Sequence, residues 1–179
     1  YDDKNSEKKK QIYEMNKLSA RFFYDKLKDE QLGAPAREYF KNRRITWKTV
    51  TAYGLGFAPY SQKKTDLVDY LKSKGYKDEE IIGAGLASHS EKYGLSSKFW
   101  NRVMFPIQDS NHRVIGFGGR VMGDGEPKYL NSPETIIFNK RKNLFAMNVV
   151  KKSKQGFIIL TEGYMDAITL HQAGFTNVI

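Results

Sequence analysis

Apolar residues in the first part of the chain recur at helical spacing, with lysine and glutamate between them. Side chains three or four positions apart share one face of a helix, so this pattern predicts a helix over residues 6–30. Gly33 and Pro35 then interrupt the pattern. The apolar positions that define the helix face are Ile12, Met15, Leu18, Phe22 and Leu27.

Four shorter helices are predicted to follow. Thr46 is a suitable N-cap for the second of them, because its hydroxyl can accept a hydrogen bond from a free N–H of the first turn. Asp78 is predicted to cap the fourth of these helices in the same way. Gly54 and Gly75 end two of these helices, since glycine readily adopts the backbone conformation that follows a helix. The predicted helices cover residues 36–42, 46–53, 66–73 and 79–84.

The pattern then changes to the short apolar runs of β-strands. Residues 102–107 and 113–118 are two such runs, and the polar residues 109–112 between them form a natural turn. We therefore predict a β-hairpin. Gly118 and Gly119 at its end would let the backbone bend or approach a ligand closely.

The last part of the chain has the order strand, helix, strand. Residues 156–161 are continuously apolar, which predicts a strand buried on both faces. A helix over residues 164–173 stops at Gly174, and residues 176–179 begin another strand. This order is the unit of a parallel sheet, so the predicted fold class is α/β: a mixed α+β region, then the start of a parallel-sheet domain after a boundary near residues 151–155.

Composition excludes several kinds of protein. The chain has no cysteine, which excludes disulfides and thiolate zinc sites, and His89, His112 and His171 are expected at the surface or in turns and not at a metal. No apolar run reaches the length of about eighteen residues that a membrane helix needs. With no signal peptide either, a cytoplasmic location is expected. The chain starts without Met, which suggests a piece of a longer protein.

The charge is strongly positive and unevenly distributed. The net charge is +10, which indicates a polyanionic partner such as nucleic acid or phosphate, although a merely solubilising surface is the alternative. Residues 128–154 hold seven basic side chains and one acidic one, whereas residues 155–179 hold two acidic side chains and no Lys or Arg. A basic region therefore runs directly into an acidic patch.

The two acidic residues of that patch are Glu162 and Asp166. Glu162 follows the predicted strand at its carboxyl end, where open α/β sheets bind ligands, and Asp166 lies one helical turn later. Paired carboxylates without a nearby cation suit Mg²⁺ or Mn²⁺, which prefer oxygen ligands. The alternative is that Asp166 only stabilises the dipole of its helix.

Several blocks of sequence resemble bacterial DnaG-type primases. Residues 161–166, Thr-Glu-Gly-Tyr-Met-Asp, are similar to the first acidic motif of the Toprim domain in those enzymes, and His171-Gln172-Ala173-Gly174 follows as in the family. Further upstream, other blocks resemble the basic motifs of the primase polymerase core in the family's order, so that about four fifths of the chain is covered. These blocks are residues 36–43, 56–59, 102–107, 114–120, 127–135 and 138–145.

The resemblance implies the synthesis of short RNA primers on a single-stranded DNA template, by metal-dependent transfer of ribonucleotides. Glu162 would bind Mg²⁺ or Mn²⁺ or assist deprotonation of the attacking hydroxyl, and Asp166 would hold metal directly or through water. The second acidic motif is expected beyond Ile179, so that this chain alone is expected to be inactive. The zinc-binding domain of the family is expected before Tyr1.

The basic and polar positions that match the family are candidate contacts to nucleotide or template. Lys128, Lys140 and Arg120 are expected on phosphate, since arginine grips phosphate with two parallel hydrogen bonds. Pairing of Arg120 with a surface carboxylate is the alternative. Arg43 is a weaker candidate for template phosphate. Tyr129 and Asn131 would stack on or bond to a base, unless Tyr129 is a half-buried strand residue. The aromatic residues expected in the core, and not on bases, are Trp47, Phe57, Phe99 and Trp100.

The predicted organisation is an N-terminal helical linker over residues 1–30, a basic primase core over residues 31–152 and the start of a Toprim domain over residues 153–179. The expected partners are single-stranded DNA, ribonucleoside triphosphates and the RNA primer–DNA hybrid, with a replicative helicase bound through an absent C-terminal domain and guanosine tetra- or pentaphosphate as an inhibitor. A non-catalytic platform for single-stranded DNA and nucleotides, and another Toprim enzyme such as a topoisomerase or nuclease, are the alternatives.

Overall fold

A long N-terminal helix packs across an antiparallel sheet. The computed structural model describes residues 2–92 and 94–179. Its helices are α1 (Asp2–Lys28), α2 (Ala34–Asn42), α3 (Trp47–Tyr53), α4 (Asp66–Ser73), α5 (Asp78–Gly83), α6 (Met147–Val150) and α7 (Tyr164–Gln172). Its strands are β1 (Gly56–Ala58), β2 (Ala87–Ser90), β3 (Gly94–Ser97), β4 (Arg102–Gln108), β5 (Val114–Val121) and β6 (Tyr129–Asn131).

The main sheet has the order β1-β4-β5-β6, and all of its strand pairs are antiparallel. The centre of the sheet is the predicted hairpin of β4 and β5, in which Phe105 pairs with Gly118. Its turn forms because a carboxylate oxygen of Asp109 accepts hydrogen bonds from the backbone N–H groups of Asn111 and Arg113. The hairpin predicted from the sequence is therefore confirmed.

The face of α1 predicted from the spacing of its apolar residues is the face that packs on the core. Ile12, Met15 and Phe23 are buried in one cluster, against which Leu18 and Phe22 are partly buried, and Leu27 is buried in a neighbouring cluster. The sheet supplies Met104, Phe117 and Ala58 to that core, and α4 supplies Leu67, Val68 and Leu71. Burial of such side chains contributes roughly 1.5–3 kcal/mol each.

The shorter helices form where they were predicted. Thr46 caps α3, because its hydroxyl oxygen accepts the N–H of Thr49 at 3.3 Å. Gly54 ends that helix in the left-handed conformation, at φ 62°. Asp78 is not a cap, since it lies in the first turn of α5 after Lys77. The short elements β1, β2, β3, β6 and α6 were not predicted, because each has only three or four residues and no periodic pattern of its own.

The C-terminal segment has the predicted β-α-β order in outline. Ile159 forms a parallel bridge with Val178, on either side of α7 in sequence. The predicted burial of residues 156–161 on both faces is wrong: Phe157 is 62% exposed and Leu160 is 75% exposed. Within the described residues this segment pairs only with residues 177–179, so that most of its apolar side chains have no layer against them.

Two of the four aromatic residues expected in the core lie there, and two do not. Phe57 and Phe99 are buried, whereas Trp47 is 47% exposed and Trp100 is 36% exposed. The expectation for the two tryptophans is wrong. Trp47 is the first residue of α3 and Trp100 lies just before β4, and at both places one side of the ring faces solvent. Within residues 2–92 and 94–179, none of the helices combines the length and apolar character needed to cross a bilayer.

Replacement of Gly56 by alanine is expected to destabilise the fold. A Cβ at Gly56 would lie 2.6 Å from the Cβ of Phe23, where β1 crosses α1, so that the helix would have to move. We expect a loss of about 1–3 kcal/mol in the free energy of unfolding, measured by urea denaturation. Gly83→Ala is the matched control, because nothing lies within 4 Å of that position. Equal stabilities of the two variants would contradict this packing of β1 on α1.

Candidate functional site

A cleft opens between the end of the main sheet and the start of α7. Its volume is about 390 Å³. One wall carries Tyr129 and Asn131 of β6 together with Lys140, and the other carries Glu162 and Tyr164. The cleft therefore brings together four residues that were predicted separately from the basic and acidic parts of the chain, namely Tyr129, Asn131, Lys140 and Glu162.

Tyr164 is the side chain that joins the two walls. Its hydroxyl donates a hydrogen bond to Oδ1 of Asn131 at 2.5 Å. Its ring stacks on Phe105, with 5.2 Å between the ring centroids and 13° between the planes, and meets Phe145 edge-on at 4.9 Å. Burial raises the pKa of Tyr164 to about 12, so the hydroxyl stays protonated and remains a donor at neutral pH.

Gly118 on β5 makes room for the Tyr164 ring. A Cβ at Gly118 would lie 2.4 Å from Cε2 of that ring. A Cβ at Gly119 would lie 3.0 Å from Cδ of Arg102 and 3.1 Å from Phe99. The expectation that this double glycine admits a ligand is wrong at Gly118, because a side chain of the same protein fills the space.

Arg120 and Arg43 both lie against the ring of Tyr39. The guanidinium carbon of Arg120 is 5.2 Å from the centroid of Tyr39, and that of Arg43 is 5.5 Å from it. Burial raises the pKa of Tyr39, and the two arginines oppose that shift. Both cations therefore share one aromatic ring on α2, to which each is attracted electrostatically.

The arginine pair borders the cleft. Arg120 pairs with Tyr129 between β5 and β6, and Tyr129 lines the cleft. Arg120 donates to the carbonyl of Val121 at 2.7 Å, while its buried Nε has no partner. Among the described residues no carboxylate lies within ion-pair distance of Arg120, so that the alternative of a surface ion pair has no support.

Lys128 stands beside this cleft and not in its lining. Its side chain is exposed, and its carbonyl accepts hydrogen bonds from Val121 N and from Nη1 of Arg102. Arg102 was missed by the sequence analysis: it is only 5% exposed, and it also donates to the carbonyl of Gly119 at 3.2 Å. Burial lowers the pKa of Arg102, but an arginine stays charged at any physiological pH. The signal in the sequence was an arginine at the first position of an apolar strand.

Glu162 and Asp166 are both exposed, but they occupy different places. Glu162 lines the cleft, whereas Asp166 lies in the first turn of α7 with Oδ2 near Gly163, outside the lining. Neither forms an ion pair with the rest of the described chain. In residues 2–92 and 94–179, no three His, Cys, Asp or Glu side chains cluster so as to hold a metal. The two carboxylates have the oxygen donors that Mg²⁺ prefers, and further ligands would be needed.

The C-terminal end of α7 is hydrogen-bonded to α3 and to the residues between α2 and α3. The Nε2–H of His171 donates to the carbonyl of Val178 at 2.7 Å, so its Nδ1 accepts from the hydroxyl of Tyr53. Gln172 accepts the N–H of Thr46 and donates to the carbonyl of Arg44, each at 2.8 Å. His171 is therefore not a surface or turn residue as predicted, but a partly buried link between two helices.

Substitution of Gly118 by alanine is expected to disrupt the joint between the two walls. The new methyl group would displace the Tyr164 ring and break its hydrogen bond to Asn131. We expect a loss of about 1–3 kcal/mol in the free energy of unfolding, measured by urea denaturation. The control is Gly156→Ala, a position with nothing within 4 Å. Stability unchanged at Gly118 would show that the ring does not depend on this space.

The His171 link is expected to make stability depend on pH. Burial lowers the pKa of His171, with the bond to Val178 acting weakly in the other direction. The unfolded chain then binds the proton more tightly, so that this contribution is complete above the unfolded pKa of about 6.5 and is lost as pH falls below it. Thermal melts at pH about 7.5 and about 5.5 should show a smaller drop for His171→Gln than for the unsubstituted chain. His89→Gln, at an exposed histidine, is the control. The same drop in all three proteins would contradict this role for His171.

Comparisons with known proteins agree on one family. Residues 22–151 match the family described as DNA primase catalytic core, N-terminal domain. The chain is 46% identical over its full length to a DNA primase of Clostridium acetobutylicum, of which it spans 29%. It is 40% identical over 94% of its length to a DNA primase of Staphylococcus aureus, of which it spans 28%.

Solved structures show the same fold. The RNA polymerase domain of the Mycobacterium tuberculosis primase DnaG has a TM-score of 0.86 and 32% identity, with 94% of this chain and 55% of that chain covered. A DnaG primase catalytic domain bound to single-stranded DNA has a TM-score of 0.88 and 30% identity, with 97% and 56% covered. The match to the family and these relatives lead to one conclusion: the chain belongs to the DnaG-type DNA primase catalytic core family.

Proposed function

We propose that this chain forms the template- and nucleotide-binding side of a primase active site, in which ribonucleotides are joined on single-stranded DNA. The observation that carries the proposal is the cleft itself. Lys140 and Asn131 on one wall face Glu162 on the other, with Tyr164 bonded across. A triphosphate needs cations and donors on one side, and the acidic side is suited to the metal that accompanies it.

In the reaction a ribose 3′-hydroxyl attacks the α-phosphate of the next nucleotide, and pyrophosphate leaves. Negative charge accumulates on the phosphate oxygens, so fixed positive charge stabilises the transition state. Lys140 supplies that charge inside the cleft, and Arg120 and Arg43 supply it at the border. Lys128 extends the basic wall, where it would contact phosphate of the template.

The base of a bound nucleotide would lie against Tyr129. Tyr129 is 40% exposed, so that its side chain is accessible to a base while β6 holds its backbone. Asn131 is held by the hydroxyl of Tyr164, which leaves the amide NH₂ of Asn131 as a donor toward the cleft. The alternative that Tyr129 is a half-buried strand residue is compatible with this role, because a residue of β6 can also offer its ring to a base.

Glu162 and Asp166 are the proposed protein ligands of Mg²⁺ or Mn²⁺ in this chain. When bound, the metal would neutralise phosphate charge in the cleft. Both carboxylates are exposed and unpaired within the described residues, so their oxygens are free to coordinate. Glu162 has the better position for direct contact, because it alone lines the cleft.

The proposed template is single-stranded DNA. A net charge of +10 and the arginine pair beside the cleft suit a phosphate backbone. A relative of similar fold has been solved with single-stranded DNA bound, which supports the same partner here. Ribonucleoside triphosphates and the primer–template hybrid would occupy the cleft in turn, and guanosine polyphosphates would compete for the same cations.

Nucleotide binding tests this proposal against a non-catalytic platform. We expect the chain to bind a ribonucleoside triphosphate in calorimetry, more tightly with Mg²⁺ than without it. Lys140→Ala should weaken binding about tenfold or more, the effect of losing one charged hydrogen bond. Glu162→Gln should abolish the increase in affinity that Mg²⁺ causes.

The control for these variants is Lys8→Ala, an exposed lysine on α1. If Lys140→Ala weakens binding but neither Mg²⁺ nor Glu162→Gln changes it, the result would favour a non-catalytic platform for single-stranded DNA and nucleotides. If neither Lys140→Ala nor Glu162→Gln changes the affinity, the assignment of the cleft as the nucleotide site would be overturned.

A further inference from the structure

A second groove lies between the C-terminal half of α2 and the start of α3. We name it the Trp47 groove; its volume is about 370 Å³. Phe40 and Val50 form its floor, and Lys41, Arg44 and Trp47 form its rim. No residue that lines the cleft beside α7 also lines this groove, so that it is a separate feature of the surface.

The rim carries the exposed ring of Trp47, which lies beside the partly buried ring of Tyr24. Trp47 is 47% exposed, and its ring lies 6.3 Å from that of Tyr24 at an angle of 32° between the planes. Nζ of Lys28 lies 5.5 Å from the centroid of Tyr24. A large aromatic surface of this kind, open to solvent and flanked by a cation, is the arrangement on which unpaired bases stack.

The charge of the groove is positive. Arg37 is held by the carbonyls of Leu27 and Glu30, which leaves Lys41 and Arg44 to face an external anion. No carboxylate lines the groove in the described part of the chain. This combination of aromatic surface and unpaired cations matches single-stranded nucleic acid, and an acidic protein segment would gain little from the exposed Trp47 ring.

The position of the groove connects it with the catalytic cleft. The end of α2 presents Arg43 toward Tyr39 and the cleft, and presents Lys41 and Arg44 toward the groove. Gln172, at the far end of α7 from Glu162, bonds to the backbone at the edge of the groove. Nine helical residues span about 13 Å, so a few nucleotides suffice to pass from one site to the other.

We infer that the Trp47 groove is a second binding site for single-stranded DNA, in which a base stacks on Trp47 and the phosphates next to it bind Lys41 and Arg44. The inference rests on the proposed function, since it takes the DNA template as the ligand. It adds a site that holds the template away from the reacting nucleotide. A ribonucleoside triphosphate bound in the cleft would not contact the groove, because the two share no lining residue.

Substitutions at Trp47 test the stacking interaction. The probe is an oligothymidylate of about twelve nucleotides, a length that fills both sites, with affinity measured by fluorescence anisotropy. Trp47→Ala should weaken binding on the order of tenfold, the effect of removing one stacked base, and Trp47→Phe should recover most of it. Binding of a ribonucleoside triphosphate should not change. Ile82→Ala, which removes an exposed apolar side chain on α5, is the control for the smaller apolar surface.

The cations are tested by salt dependence. Affinity for single strands decreases as the salt concentration rises. The steepness of log affinity against log salt concentration decreases by about 0.7 for each phosphate that the protein no longer neutralises. Lys41→Gln and Arg44→Gln should each reduce the slope by about this amount, and Lys17→Gln on α1 should not.

Tryptophan fluorescence reports the stacking itself. Trp100→Phe leaves Trp47 as the single tryptophan of the chain, and binding of the oligonucleotide should quench its emission. If the oligonucleotide binds but Trp47 emission and the affinity of Trp47→Ala are unchanged, the inference is overturned while the proposed function stands. If the unsubstituted chain does not bind the oligonucleotide at all, both fail.

Discussion

The packing of the Tyr164 ring over Gly118 is the interaction on which the site depends. It lets the first turn of α7 approach the centre of the main sheet, where a side chain on β5 would keep it away. The ring then packs between Phe105 and Phe145, and its hydroxyl reaches Asn131. One tyrosine therefore links the basic and the acidic wall.

Electrostatics follows from that geometry. Arg120 and Arg43 are supported by the Tyr39 ring and not by carboxylates, and Arg102 is buried on backbone carbonyls. A cation without an acidic partner costs free energy in the isolated protein, because desolvation is not offset by an opposite charge. In the proposed function an anionic ligand would offset that cost at the partly buried Arg120, whereas the exposed Arg43 stays solvated. Glu162, on the other wall, is equally unpaired within the described residues.

Periodicity predicted the parts of the fold that have enough residues to show it, such as α1 and the hairpin of β4 and β5. It could not predict three-residue strands such as β1, which form only because the sheet is already beside them. The sequence allowed the candidate residues of the site to be predicted, but not the contacts between them. Nothing local indicated that His171 is partly buried against Tyr53, or that Trp47 is exposed, since both facts depend on how α7 and α1 pack on α3. The proposed domain boundaries and the roles of the site residues stay predictions.

The central claim is that Tyr164 and Asn131 act together in holding one nucleotide site between two walls. A double-mutant cycle with Tyr164→Phe and Asn131→Ala, read out as affinity for a ribonucleoside triphosphate with Mg²⁺, tests it most directly. We expect each single change to weaken binding and the double change to add little more, with a coupling energy of about 0.5–1.5 kcal/mol. Strictly additive effects would show that the two side chains act independently, and would contradict the account.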